Sequence, residues 1–280
     1  MRLRHRFCFL PACLVVLMGS IAGAQSSGSN AELNLGVQAY KHAKWEEALD
    51  HFERAVAQDP ANVRARLYLG TAYAQQYIPG VDTTDNNEMG ERAIEQYKKV
   101  IDLAPPKTET LNAVKGVAYL HLQMKKFDDA KEYYRKATEL DPNDPEPYYS
   151  IAVIDWTETY QPRQEERMKL GLKADASLPA KNPNVCDMLR AKNWDKIQEG
   201  IDNLNKTLEL RPDYDDAMAY MNLMYRERAD VQCGDSAARK ADLQTADEWV
   251  DKTMAVKRAK AEKEQYLRGK EQYVRPTPEQ

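Results

Sequence analysis

The sequence predicts an all-α protein, an α-α superhelix of about five helix-turn-helix units with a long C-terminal capping helix. Three observations carry this. Charged residues make up 30% of the chain while only 12 of its 280 residues are glycine, a balance that favours helices over sheets. Small and apolar residues recur at helical spacing, as in Gly36, Ala48, Phe52 and Ala55. Prolines at 60, 105, 142 and 212 close successive segments, because proline lacks the amide that would continue a helix.

The chain opens with the three parts of a secretory signal, residues 1–24. Arg2, Arg4 and Arg6 form a basic region, an apolar run extends from Phe7 to about Met18, and Ala22-Gly23-Ala24 supplies a small-x-small pattern. Cleavage is therefore expected between Ala24 and Gln25. An uncleaved anchor is the alternative, weakened because the apolar run is shorter than the ~20 residues of a spanning helix. Acylation of Cys13 is disfavoured, since most of the apolar run follows it. Removal of residues 1–24 takes three arginines and no acids, leaving 37 basic against 44 acidic residues, a net charge of −7. That balance gives no sign of a nucleic-acid surface.

The first repeat reads "NLGVQAYKHAKWEEALDHFERAVAQDPAN" from Asn34. Leu35, Gly36 and Tyr40 share one helix; Ala48, Phe52 and Ala55 share a second, which Pro60 ends. Gly36 and Ala48 allow close approach of two antiparallel helices, and Ala55 leaves room for the next unit. The same grammar returns in "LYLGTAYAQ" with "ERAIEQYKKVIDLAPP", and in "AVKGVAYLHLQMKKFDDAKEYYRKATELDPND". It returns again in "PYYSIAVIDW" with "GIDNLNKTLELRPDYDD", and in "AMAYMNLMYRERAD" with "LQTADEWVDKTMAV". This pattern resembles the tetratricopeptide repeat family, a 34-residue helix-turn-helix unit. It is similar, too, to secreted bacterial members with an interrupted array.

The resemblance implies a solenoid at 32–268, after a flexible linker at 25–31 and before a flexible tail at 269–280. Its units fall at about 29–62, 63–106, 111–144, 145–214 and 215–268. Spacing locates two departures from the repeat. Pro60 to Pro105 is 45 residues, and the excess falls in the turn-forming stretch Tyr77–Gly90, read as a surface loop. Pro142 to Pro212 is 70 residues, read as one insertion at 158–192, with a degenerate extra repeat as the alternative. The segment "DTTDNNEMG" lacks the glycine and glutamate that a calcium-binding EF-hand loop requires. The basic tract 257–270 reads as the solvated extension of the capping helix.

Nothing in the sequence points to catalysis, metal or cofactor. There is no His-Glu-x-x-His, Gly-x-Ser-x-Gly or Gly-x-x-x-x-Gly-Lys motif. His42 and His51 lack metal-ligand spacing, and His121 falls where the repeat places a packing aromatic. The expected function is an exported scaffold that binds a peptide or helix of an envelope protein. An ancillary structural subunit of a periplasmic or membrane-attached complex is the other reading, and no stable membrane insertion is expected after signal cleavage.

In the tetratricopeptide family the first helices of successive units line a concave face. That resemblance implies a groove carrying Tyr40 and Lys41 from unit one, and Lys115, Tyr119 and Leu122 from unit three. Unit four would add Tyr149, Val153 and Trp156, and unit five Leu223 and Arg226. An aromatic strip of Tyr119, Tyr149 and Trp156 suits an extended peptide or a helix. The subfamily that grips a terminal carboxylate places Lys and Asn where this chain has Leu33 and Val37, so that clamp is not implied.

Two cysteines, Cys186 and Cys233, remain after the signal. Asn182-Pro183 reads as a cap followed by proline at the first helical position. Cys186 then lies 14 residues before Gly200, and Cys233 lies 13 before the equivalent Ala246. Second helices of adjacent repeats run side by side, so both sulfurs fall at one level, with Cys233 reaching across from its loop. A disulfide between them is expected, as an oxidising compartment favours.

Overall fold

The computed structural model describes residues 19–173, 176–178 and 182–274; most of the expected signal segment, 1–24, lies outside them. Among these residues there are ten α-helices and no strand. They fall into two compact units that divide between Pro105 and Pro106. The N-terminal unit holds α1 (Gly19–Lys41), α2 (Trp45–Gln58), α3 (Val63–Gln76) and α4 (Thr84–Asp102). The C-terminal unit holds α5 (Lys107–Gln123), α6 (Phe127–Leu140), α7 (Pro145–Lys169), α8 (Pro183–Leu210), α9 (Asp215–Asp230) and α10 (Ser236–Val274). No described helix is long and apolar enough to cross a membrane.

Within each unit, helices pair in order: α1 with α2, α3 with α4, α5 with α6, α7 with α8 and α9 with α10. One set of positions explains the pairing. Ala48, Ala93, Ala130, Gly200 and Ala246 sit at equivalent points of the five second helices; seven residues on are Ala55, Val100, Ala137, Thr207 and Thr253. All ten are buried or have no side chain to expose. Glycine is a steric necessity at Gly36, where a Cβ would stand 2.5 Å from a carbon of the rigid Phe52 ring; at Gly200 a Cβ would stand 2.2 Å from the Met224 methyl, which would have to swing aside. The position four residues after the small one is Phe52, Tyr97, Tyr134 and Leu204 in the first four repeats, each buried. In the last repeat it is Val250, 38% exposed.

The turns repeat as well. Ala43 and Lys125 take positive φ between paired helices, and the next amide bonds back across the turn, Lys44 to Ala39 O at 3.0 Å and Lys126 to His121 O at 2.9 Å. Gly171 does the same after α7, with the Leu172 amide bonded to Arg167 O at 3.0 Å. The fourth hairpin is therefore the ordinary one carried further before it closes. The expected insertion at 158–192 is mostly the prolongation of its two helices. Helix α7 runs 25 residues and α8 runs 28, against 14 for α2 and α6.

Three boundaries differ from expectation. Residues 25–31 are helical rather than a linker, since α1 continues upstream along α2. The buried Ser29 hydroxyl donates to Ala55 O at 2.8 Å and accepts from Asn62 Nδ2 at 2.9 Å. The stretch 77–90 is only half loop, because Thr83 accepts from the Asn86 amide and starts α4. The buried Asn86 side chain then pins the loop through Ile78 N, Ile78 O and Val81 O. At the C-terminus α10 continues through Val274, so residues 269–274 of the expected tail are helical.

Two buried ion clusters brace the elongated hairpin. Lys131 of α6 donates to Asp155 of α7 at 2.5 Å and to Glu199 of α8 at 2.7 Å, and Arg135 reaches Glu199 at 2.5 Å. Farther along, Arg163 meets Glu227 at 2.7 Å and Asp230 at 2.8 Å, while Arg167 meets Asp230 at 3.0 Å. Cys186, in the first turn of α8 behind its Asn182 cap, is bonded to Cys233 in the α9–α10 loop, with Cα atoms 5.7 Å apart. The Asp235 carboxylate caps α10 beside it, accepting from the Ala238 amide at 2.8 Å.

Candidate functional site

In the N-terminal unit, α1 ends on a half-buried Tyr40 whose hydroxyl donates to Gln75 of α3 at 2.7 Å. Its ring meets Trp45, at the start of α2, edge-on at 4.9 Å. Together with Glu46, Ala72 and Gln76 these residues line a cavity of about 290 Å³, and Trp45 stays 45% exposed. Lys41 is exposed beside it. Leu33 is buried against the helix pair and Val37 is half-buried.

In the C-terminal unit the aromatic residues gather on α7 and α9, the first helices of their repeats. Tyr149 lies 4.9 Å from Tyr214 and 5.6 Å from Tyr220, ring centre to ring centre. Trp156 lies 5.5 Å from Tyr220 and stacks on Tyr160 at 4.7 Å. All five are half-buried, and Tyr149, Trp156, Tyr214 and Tyr220 pack on the core beneath. Burial pushes the hydroxyls of Tyr149, Tyr214 and Tyr220 upward, so all three remain protonated hydrogen-bond donors at neutral pH. Tyr214 uses its proton on Glu146 at 3.0 Å.

The remaining expected groove residues divide by what holds them. Tyr119 is 52% exposed and, among the described residues, makes no ring contact with this cluster. Lys115 is drawn into a 2.6 Å ion pair with Asp144, the cap of α7, and so ties two repeats together. Leu122 packs against the buried Ala118–Tyr134–Ile151 group. Val153 and Leu223 are half-buried, and Arg226 is paired with Asp247 at 2.7 Å. Of the histidines, His51 accepts its place beside Glu32 at 2.7 Å, and His121 is buried near the Tyr133 ring.

Sequence reasoning missed Trp45, Tyr160, Tyr214 and Tyr220. Tyr220 stands one helical turn before Leu223 on the same first helix, so the count that found Leu223 also leads to it. Tyr214 lies just outside its helix, where periodicity carries no signal.

Paired antiparallel helices with fixed small residues at their crossings, and half-buried aromatics on the first helices, define a helical-repeat protein built for macromolecular contact. Two family models, each described as tetratricopeptide repeat, match residues 33–77 and 115–144. These two stretches are tetratricopeptide repeats. No sequence among curated proteins matches it. Solved structures share its fold at low identity. MamA matches with a TM-score of 0.55 at 15% identity, over 84% of this chain and 95% of that one. MamA 41-end from Desulfovibrio magneticus RS-1 gives 0.54 at 16%, over 84% and 98%. YrrB, described as a TPR protein with an unusual peptide-binding site, gives 0.50 at 15%, over 86% and 98%.

Proposed function

We propose that this chain is an exported interaction scaffold that receives a peptide or helix of an envelope protein on the first helices of its repeats. The observation that carries the reading is the half-buried cluster of Tyr149, Trp156, Tyr160 and Tyr220 on adjacent first helices, with Tyr214 at the cap of the second. Rigid, half-buried aromatics give large contact area at low entropic cost, the chemistry of interface anchors. The fold shared with YrrB, whose structure is described with a peptide-binding site, supports a peptide as occupant. Export is supported by the signal-like segment at 1–24 and by a disulfide that an oxidising compartment would maintain. The residues that converge here are binding groups, and the chain is read as a binding protein rather than an enzyme.

The test is affinity capture from an envelope fraction with the chain from Gln25 onward, comparing wild type with Tyr119→Ala/Trp156→Ala. Loss of specific partners at unchanged thermal stability supports the reading. An identical partner set from the folded variant contradicts it.

A further inference from the structure

The prolonged hairpin creates a second concavity, apart from the aromatic cluster and on other chemistry. The end of α7, the loop after it, the end of α9 and the start of α10 enclose about 500 Å³, a size typical of small-molecule sites. Its lining is of two kinds: Met168, Leu172, Ala176 and Leu243 are apolar, and Arg163, Arg167, Arg226 and Arg239 are cationic, with Gln164 and Asp230 completing it.

Three of these arginines are already committed. Arg163 is held by Glu227 and Asp230. Arg167 is held by Asp230 and by the carbonyls of Ala176 and Lys173, and Arg226 by Asp247. Arg239, in the first turn of α10, is different. It forms no ion pair among the described residues, and its Nε is buried with no hydrogen-bond partner. A buried donor without an acceptor costs free energy unless something supplies the acceptor. Among the described residues Arg239 is thus the one lining arginine without a carboxylate partner.

We infer that this cavity is a binding site for a small monoanionic carboxylate with a short apolar body, its carboxylate on Arg239 and its body against Met168, Leu172 and Leu243. A guanidinium presents paired donors that match a carboxylate, and one uncommitted arginine suits a ligand with one carboxylate. The apolar residues give the rest of the ligand a surface to lie on. Because the walls come from repeats four and five together, the occupant also clasps the prolonged hairpin to the final helix. The inference does not depend on the peptide reading above.

Hexanoate is a suitable probe, titrated calorimetrically into the disulfide-bonded chain from Gln25 onward, with hexanamide and inorganic phosphate as controls. Saturable 1:1 binding of hexanoate, with none for hexanamide or phosphate, is the expected result. Arg239→Gln should weaken it at least tenfold, and Arg239→Lys should restore part of the loss. Met168→Glu, at a position 71% exposed and thus safe for folding, should abolish it by placing a like charge at the mouth. No hexanoate binding, or affinity unchanged in Arg239→Gln or Met168→Glu, overturns the inference. Phosphate binding as tight as hexanoate overturns the assignment of a carboxylate with an apolar body.

Discussion

The α1–α2 hairpin and the α7–α8 hairpin share one plan and are held by different forces. In the first, a glycine faces a buried phenylalanine and the charged residues lie outside, as in the exposed Arg54–Asp50 pair. In the second, the proximal half keeps that plan with Gly200 against Met224, but the prolonged half turns to charge. Arg167, Glu227 and Asp230 are all buried there, and a disulfide closes the end. The difference follows from position. The regular hairpin buries a compact apolar seam. A prolonged hairpin must bury its extra turns against the flank of the next repeat, where arginines on α7 meet carboxylates on α9.

If that contrast is right, the two hairpins should break in different ways. Asp230→Ala leaves Arg163 and Arg167 without their shared partner and should cost about 3–5 kcal/mol. In the regular hairpin the comparable loss comes from Phe52→Ala, also about 3–5 kcal/mol, whereas Arg54→Ala should leave the midpoint unmoved. Urea unfolding of each variant, followed by circular dichroism, compares them. A large effect from Arg54→Ala would erase the distinction.

Reduction of Cys186–Cys233 releases a loop of 47 residues and should cost roughly 4 kcal/mol in the chain-entropy model. The loss should be confined to the C-terminal unit. Hydrogen exchange with and without reductant reads this directly: faster exchange in α8–α10, unchanged exchange in α1–α4.

The buried carboxyls make a prediction about pH. Burial pushes Asp155 up to about 7 from 3.8, partly offset by Lys131, and pushes Glu227 up to about 7 from 4.5, partly offset by Arg163. Between the ordinary values and 7 the folded unit keeps protons that the unfolded chain has released. Stability therefore falls as pH rises through that window and levels off above it. From pH 5 to pH 7 the loss should be on the order of 3 kcal/mol. Burial opposes ionisation of Glu199 too, but its hydrogen bonds to Lys131 and Arg135 hold it below its ordinary value. That contribution is lost only as pH falls below about 4.5, outside the window. Trp45→Phe leaves Trp156, Trp194 and Trp249, all in the C-terminal unit, as fluorescence reporters. A midpoint in urea that rises between pH 5 and 7 would contradict the assignment.

The smallest effects belong to the turns. Ala43→Gly and Lys125→Gly relieve a left-handed backbone and should each stabilise by about 0.5–1 kcal/mol. Gly171→Ala should cost a similar amount, since it serves the same turn.

The repeat, the turn prolines, the Asn182 cap and the cysteine pair were legible because each rests on local spacing. Gly36 and Ala48 reveal a crossing without any knowledge of the partner helix. What spacing could not reveal is what depends on a distant partner. Lys115 looked like a groove residue because the carboxylate that claims it, Asp144, lies 29 residues away. Residues 25–31 read as a linker because serine and glycine favour turns, yet Ser29 is helical where Ala55 and Asn62 satisfy its hydroxyl. In the prolonged hairpin, Arg163 with Arg167 and Glu227 with Asp230 form matched pairs one turn apart. That complementarity was present in the sequence but has no period to betray it.

The central claim, that the first helices are the partner-binding face, is tested most directly by photo-crosslinking in the envelope. A photoreactive residue at Tyr119 or Leu223, on first helices, is compared with one at Lys136 or Lys206, on second helices. The account predicts a discrete adduct with the same protein from Tyr119 and Leu223 and none from the other two. Adducts from Lys136 and Lys206 alone would contradict it.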